Sequence, residues 1–227
     1  KRKEGVLMAF TARQSISVIF PAYNEEGNIA KAVEQATNFL GDLFRDWEII
    51  VVNDGSRDGT GEILNKLSFH DNRVIPLHHE NNKGYGAALR SGILKAQKDL
   101  IFFCDSDLQF HLNELLLLLS WIEQYDLVVG YRAKRTDPFH RKLNAMGWKA
   151  LVRFLLGLKV RDIDCAFKLF KRDVFKEIKI DAVGAMVNTD ILVQATRMGF
   201  AIKEVPVTHF PRINGKQTGA KISVVIK

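Results

Sequence analysis

The stretch Leu100-Ile101-Phe102-Phe103-Cys104-Asp105-Ser106-Asp107-Leu108-Gln109 (LIFFCDSDLQ) decides the fold. It opens as a continuous apolar run, the pattern of a strand buried on both faces, and then turns acidic. Three other runs share the design: Ser15 to Phe20 (SISVIF), Trp47 to Val52 (WEIIVV) and Leu127 to Gly130 (LVVG). Between them the apolar residues repeat at helical spacing. Ile29, Val33, Ala36, Phe39 and Leu40 do so after an expected cap at Asn24, and Gly61–Leu67 and Gly86–Ala96 are further helix candidates. This alternation predicts an α/β fold with a parallel sheet and right-handed crossovers. Ala201–Val207 reads as one more strand.

In such a sheet, ligands bind at the carboxyl ends of the strands. The four runs end in Pro21-Ala22-Tyr23-Asn24-Glu25, in Asn53-Asp54-Gly55-Ser56, in Asp105-Ser106-Asp107-Leu108-Gln109 and in Tyr131-Arg132. Polar groups therefore converge on one edge, and that convergence outweighs any single motif. Asp105 and Asp107 can face one divalent cation, Mg²⁺ or Mn²⁺, with Gln109 adding a carbonyl oxygen. A second D-x-D, Asp162-Ile163-Asp164, does not follow a strand of this type.

Other segments carry less. In Asp54-Gly55-Ser56-Arg57-Asp58-Gly59-Thr60 the glycines permit unusual backbone angles, and Ser56 or Asp58 can cap the next helix. Asp54 is a candidate acceptor for a base or ribose. Asn82-Lys83-Gly84-Tyr85-Gly86 precedes a small-residue helix and suits close approach of a phosphate, yet it is neither G-x-G-x-x-G nor a Walker A loop. There is no H-E-x-x-H and no G-x-S-x-G, which excludes the common zinc hydrolases and α/β-hydrolases. Arg212, in the loop after the last strand candidate, can grip a diphosphate.

The 227 residues suit one domain, and 47% hydrophobic with 26% charged residues excludes a disordered chain. The two cysteines form neither a disulfide framework nor a Cys-rich zinc site. The net charge is +7, and it is concentrated. Between Arg132 and Arg172 twelve Lys and Arg face three Asp, an excess of +9 that leaves −2 for the remainder. This implies an anionic partner: nucleic acid, phosphate groups or a membrane surface. Within this stretch His140–Leu158 carries a broad apolar stripe with Arg141, Lys142, Lys149, Arg153 and Trp148, the composition of an interfacial membrane helix at about 141–157. The same periodicity also fits a helix packed on the sheet. No run approaches the ~20 apolar residues of a membrane span. The chain opens on Lys1, as expected of a fragment.

Taken in order, these segments resemble the inverting glycosyltransferases of the GT-A fold, and among them the polyprenyl-phosphate branch typified by dolichyl-phosphate mannose synthase. The resemblance is carried by Pro21–Glu26, Val52–Thr60, Asn82–Gly86, Asp105–Gln109, Gly130–Arg132, Asp162–Lys168, Thr189-Asp190, and Glu204-Val205-Pro206 with Arg212 and Gly215. Ala166 stands where relatives usually have Gly.

The resemblance implies a single domain, with 15–131 as the nucleotide-sugar half and 132–220 as the acceptor-side half. Pro21, Ala22, Tyr23, Glu25, Asp54, Lys83, Gly84, Asp105 and Ser106 would bind the nucleotide sugar. Asp105, Asp107 and Gln109 would hold the metal. Arg132, Arg141, Asn144 and Lys168 would bind the acceptor phosphate. Asp107, Arg132 and Arg212 would act in catalysis. The implied reaction moves a hexose, mannose or glucose, from a nucleotide-diphosphate sugar to a polyprenyl phosphate, dolichyl or undecaprenyl. It would take place on the cytoplasmic face of a membrane, with the enzyme peripheral or anchored by a segment outside this chain. A transferase acting on a polysaccharide or protein hydroxyl is the alternative, and it would need a base such as Asp190. A non-catalytic nucleotide- or nucleic-acid-binding module is a lesser one; no nucleic acid partner is expected, because the basic stretch lacks interleaved aromatics.

Overall fold

The computed structural model describes residues 13–133, 160–212 and 214. The basic segment 141–157, with Arg141 and Asn144, and Gly215 lie outside the described residues. The described elements run β1 (Ser15–Ala22), α1 (Ile29–Leu43), β2 (Asp46–Asn53), α2 (Thr60–His70), β3 (Val74–His78), α3 (Tyr85–Lys95) and β4 (Leu100–Cys104). After a short 3-10 turn, Leu112–Glu114, come α4 (Leu115–Leu119), β5 (Leu127–Arg132), β6 (Phe167–Lys171), α5 (Val174–Glu177), α6 (Val187–Arg197) and β7 (Ile202–Val207).

Among the described residues the strands form one sheet in the order β3-β2-β1-β4-β6-β5-β7. β1 is parallel to β2 and β4, β2 to β3, and β5 to β7, while β6 runs antiparallel between β4 and β5. The expected four strands and their parallel core are present, as is a strand over the Ala201–Val207 run.

Alternate strand residues serve two cores, which explains the continuous apolar runs. Val18, Phe20, Ile49, Val51, Phe102 and Leu169 face one layer with Val33 and Leu40 of α1 and Leu64 of α2. Ile19, Ile50, Phe103 and Phe170 face the other with Leu89 of α3 and Ile191 of α6. Burying each such side chain contributes roughly 1.5–3 kcal/mol.

The structure corrects two local expectations. The first helix is capped at Asn28, not Asn24. Asn24 lies further back in the left-handed region (φ 56°), its side chain accepting from the Arg57 N–H at 2.9 Å. The small residues of α3 serve packing, because a Cβ at Gly92 would sit 2.5 Å from Ile19 on β1.

Candidate active site

The parallel strands deliver β1, β2, β3, β4, β5 and β7 carboxyl ends to one edge, and antiparallel β6 brings its amino end there. The loops after β1 and β2 are laced together. Thr60 Oγ1 accepts from the Glu25 N–H (2.9 Å), Ser56 Oγ from the Asn24 N–H (2.9 Å), and the Glu26 carboxylate from the Gly59 N–H (2.7 Å). Tyr23 stands half-buried beside this lacing, after the buried Ala22.

Asp54 is buried, and its carboxylate organises the next loop. It accepts from the Lys83 N–H (2.9 Å) and Gly84 N–H (2.8 Å) and pairs with His79 Nδ1 (2.7 Å), whose Nε2 meets Ser91 Oγ (2.8 Å). His79 escaped the sequence reading; a histidine one residue past an edge strand carries no pattern. The Asn82–Gly86 loop also departs from expectation. Its glycines admit protein backbone where a phosphate was expected: a Cβ at Gly86 would lie 2.1 Å from Ala182 O and one at Gly84 2.6 Å from Val183 O. The Gly86 and Ala87 N–H groups at the start of α3 both donate to Val183 O, at 2.9 and 3.2 Å.

Asp105 and Asp107 emerge from β4. Burial first, and then the neighbouring Asp107 carboxylate, push the Asp105 carboxyl up to about 7. Burial also raises Asp107, against the opposing pull of the Gln109 N–H and Arg212. Burial together with a nearby carboxylate, Asp107 for Asp105 and Glu25 for Asp107, thus disfavours the charged form of both acids. Their oxygens are the donor type that Mg²⁺ and Mn²⁺ take. Among the described residues no group of three or more His, Cys, Asp and Glu forms a full protein cage.

Other groups close around the pair. Arg212 Nη2 reaches Glu25 Oε1 at 2.5 Å and its Nη1 reaches Asp107 Oδ2 at 3.4 Å, so the loop after β7 touches the loop after β1 and the acidic pair together. Gln109 Nε2 donates to Phe210 O (2.8 Å), anchoring that loop. Ser106 differs from expectation. It is buried, and its hydroxyl donates to Pro21 O at 2.9 Å, joining the ends of β4 and β1 instead of facing a ligand. The Tyr85 hydroxyl is buried beside Asp105. Burial pushes the Cys165 thiol up to about 12 and Cys104 well above its usual value, so neither is poised as a thiolate nucleophile.

On the far side Arg132 ends β5. Its Nε and Nη2 meet Asp162 Oδ2 and Oδ1 at 2.7 and 2.8 Å, a bidentate pair. Burial alone would lower this guanidinium; the bonds to Asp162 more than offset that and raise it. Asp162 is thus a site residue whose partner the sequence did not reveal, although acids are scarce in that basic stretch. Lys168 is a correction. Expected on the acceptor phosphate, it is wholly buried in β6, and its ammonium is bonded to Ile163 O, Cys165 O and Asn188 Oδ1. Asp190 lies in the first turn of α6 and accepts from Gln194 Nε2 at 2.8 Å.

The edge so built has counterparts among known proteins. The family model for glycosyl transferase family 2 matches residues 17–179. The dolichyl-phosphate beta-glucosyltransferase ALG5A of Trichomonas vaginalis is 33% identical over 231 residues, covering 93% of this chain and 70% of that protein. The polyprenol monophosphomannose synthase of Mycolicibacterium smegmatis is 31% identical, covering 92% and 83%. The chain spans only 34% of the glycosyltransferase AglD of Haloferax volcanii, at 33% identity. Among solved structures, glucosyl-3-phosphoglycerate synthase from Mycobacterium tuberculosis, in complex with Mn²⁺, UDP-glucose and phosphoglyceric acid, superimposes with a TM-score of 0.73 at 25% identity, over 93% of this chain and 76% of that one. Its GT-A architecture is the one described above. With the acidic pair, the laced loops and the arginines all falling on the edge that this architecture uses, the chain belongs to glycosyl transferase family 2 and is a glycosyltransferase.

Proposed function

We propose that this enzyme is a metal-dependent, inverting transferase that moves a hexose, mannose or glucose, from a nucleotide-diphosphate sugar to a polyprenyl phosphate at a membrane surface. The observation that carries the reading is the pairing, on one sheet edge, of the Asp105–Asp107 carboxylates with two arginines on opposite sides, Arg212 and Arg132. Support for a lipid phosphate comes from relatives named for dolichyl and polyprenol phosphates at 31–33% identity. It comes also from the +9 excess between Arg132 and Arg172. We assign residues 15–131 to the donor and 132–220 to the acceptor.

Asp105 and Asp107, with Gln109, would hold a divalent cation, which when bound supplies positive charge against the departing diphosphate. Pro21, Ala22, Tyr23 and Glu25 would line the nucleoside side, with Asp54 shaping it by holding Lys83 and Gly84. Arg212 would swing from Glu25 and Asp107 to the diphosphate. Arg132 keeps three N–H donors beyond its two side-chain bonds to Asp162, and these would grip the acceptor phosphate. An acceptor oxygen attacks the anomeric carbon as the diphosphate leaves with the bonding electrons. A phosphate monoester has a second pKa of about 6, so the acceptor needs no strong base near neutral pH.

Among the described residues no helix is long and apolar enough to cross a membrane. Docking would use the basic stretch between Arg132 and Arg172, with Arg141 and Asn144 binding the acceptor phosphate. Lys149→Glu with Arg153→Glu should weaken binding to anionic vesicles; unchanged binding contradicts docking there. Donor recognition is tested by thermal stabilisation with GDP and UDP, with and without Mn²⁺. No shift with any nucleoside diphosphate contradicts the donor assignment. Asp190→Asn should retain transfer to the phosphate acceptor; abolished transfer with donor binding intact favours a hydroxyl acceptor and a base.

A further inference from the structure

Among the described residues Lys168 is the only Lys or Arg fully buried from solvent. It occupies the middle of β6, opposite Phe103 of β4 and Val129 of β5, with its ammonium 5.7 Å from the Phe103 ring. The sheet on both sides is apolar, so a leucine would suit the packing. A buried ammonium is tolerated only where all its donors are satisfied. Here the acceptors come from two segments. Ile163 O, at 3.0 Å, and Cys165 O belong to the turn before β6, and Asn188 Oδ1, at 2.9 Å, belongs to α6.

That turn begins at Asp162, whose carboxylate accepts from Arg132 Nε, Nη2 and main-chain N–H. On its other side the turn is held by the Arg161 N–H bonding Glu204 Oε1 at 2.6 Å. The turn is thus tied to β5 through Asp162, to β7 through Arg161 and, by Lys168, to α6. Without Lys168 two carbonyls and one amide oxygen lose their donor inside the protein, and the turn loses its tie to α6.

We propose that Lys168 is a positioning residue: it pins the 163–165 turn to α6 and so, through Asp162, sets the aim of the Arg132 guanidinium. The inference rests on the reading of Arg132 as the acceptor-phosphate ligand.

The test compares Lys168→Met, Lys168→Arg, Arg132→Ala and the double variant Lys168→Met with Arg132→Ala, using a short polyprenyl phosphate as acceptor. Small misplacements of a binding group cost about tenfold or more. Lys168→Met should raise the acceptor KM by about that factor, leave the donor KM within about twofold, and be partly rescued by Lys168→Arg. In the Arg132→Ala background it should add almost nothing. Independent, multiplying effects of the two substitutions overturn the inference, as does an equal rise in donor and acceptor KM. An unchanged acceptor KM in Arg132→Ala overturns the reading of Arg132 and the inference with it. Should Lys168→Met fail to fold, Asn188→Ala removes one acceptor and should show the same acceptor-only pattern at smaller size; a flat acceptor KM there also overturns the inference.

Discussion

At the end of the sheet opposite the acidic pair, the carboxylates are settled. Glu48 is buried in β2 and accepts from Ser17 Oγ at 2.5 Å and the Gln97 N–H at 2.9 Å. Asp99 accepts from the Ser15 hydroxyl at 2.7 Å, and Arg172 Nη1 donates to Gln97 O at 2.8 Å. A cleft of about 430 Å³ opens there, lined by Gln14, Glu123, Lys171 and Asp173 among others. At the carboxyl end, Asp105 and Asp107 instead repel one another and are only partly answered by Arg212. The same residue types close a fold at one end and leave charge only partly compensated at the other. The cleft and the acidic pair thus lie at opposite ends of the sheet.

That contrast can be broken most decisively at the acidic pair. Asp107→Asn should reduce transfer by about 10²–10³-fold, the scale of losing one electrostatic partner of the transition state. It should leave the melting temperature unchanged or higher, since a repulsion is removed; initial rates and a thermal melt check both. Next is Arg132→Ala. It should raise the acceptor KM by about tenfold or more and, by removing the bidentate partner of the buried Asp162, cost about 3 kcal/mol of stability in a denaturant titration.

The pH dependence sharpens the same point. The folded Asp105 carboxyl sits at about 7 against an ordinary 3.8, so the folded chain keeps a proton that the unfolded chain has released. That stabilising contribution is complete below 3.8 and lost as pH rises through 7. A divalent cation needs the deprotonated pair. Mn²⁺ should therefore raise the melting temperature more at pH 8 than at pH 6, and an equal shift at both contradicts the acidic pair as its site. The smallest effect is expected at the opposite end. Ser17→Ala should cost about 1 kcal/mol and leave the activity of the folded protein unchanged, measured by denaturant titration and initial rates.

The sequence made the parallel core legible because strands buried on both faces are written as unbroken apolar runs. It hid β3, where Pro76 and partial exposure dilute a five-residue edge strand, and β6, where Lys168 interrupts Phe167 and Phe170. The acidic pair was legible from its place after a strand. The fates of Asp54, Ser106 and Lys168 were not, because each is satisfied by residues 20 to 85 positions away or by main-chain groups of an unpatterned turn. The glycines of Asn82–Gly86 signalled a close approach correctly and left its partner, the backbone around Val183, unstated.

The most direct measurement is sugar transfer from GDP-mannose or UDP-glucose to a short polyprenyl phosphate and to the matching polyprenol, with Mn²⁺ or with chelator. The expected result is a glycosylated polyprenyl phosphate that needs the metal, and no product from the alcohol. Transfer to the alcohol, or transfer to the phosphate undiminished by chelator, would contradict the account.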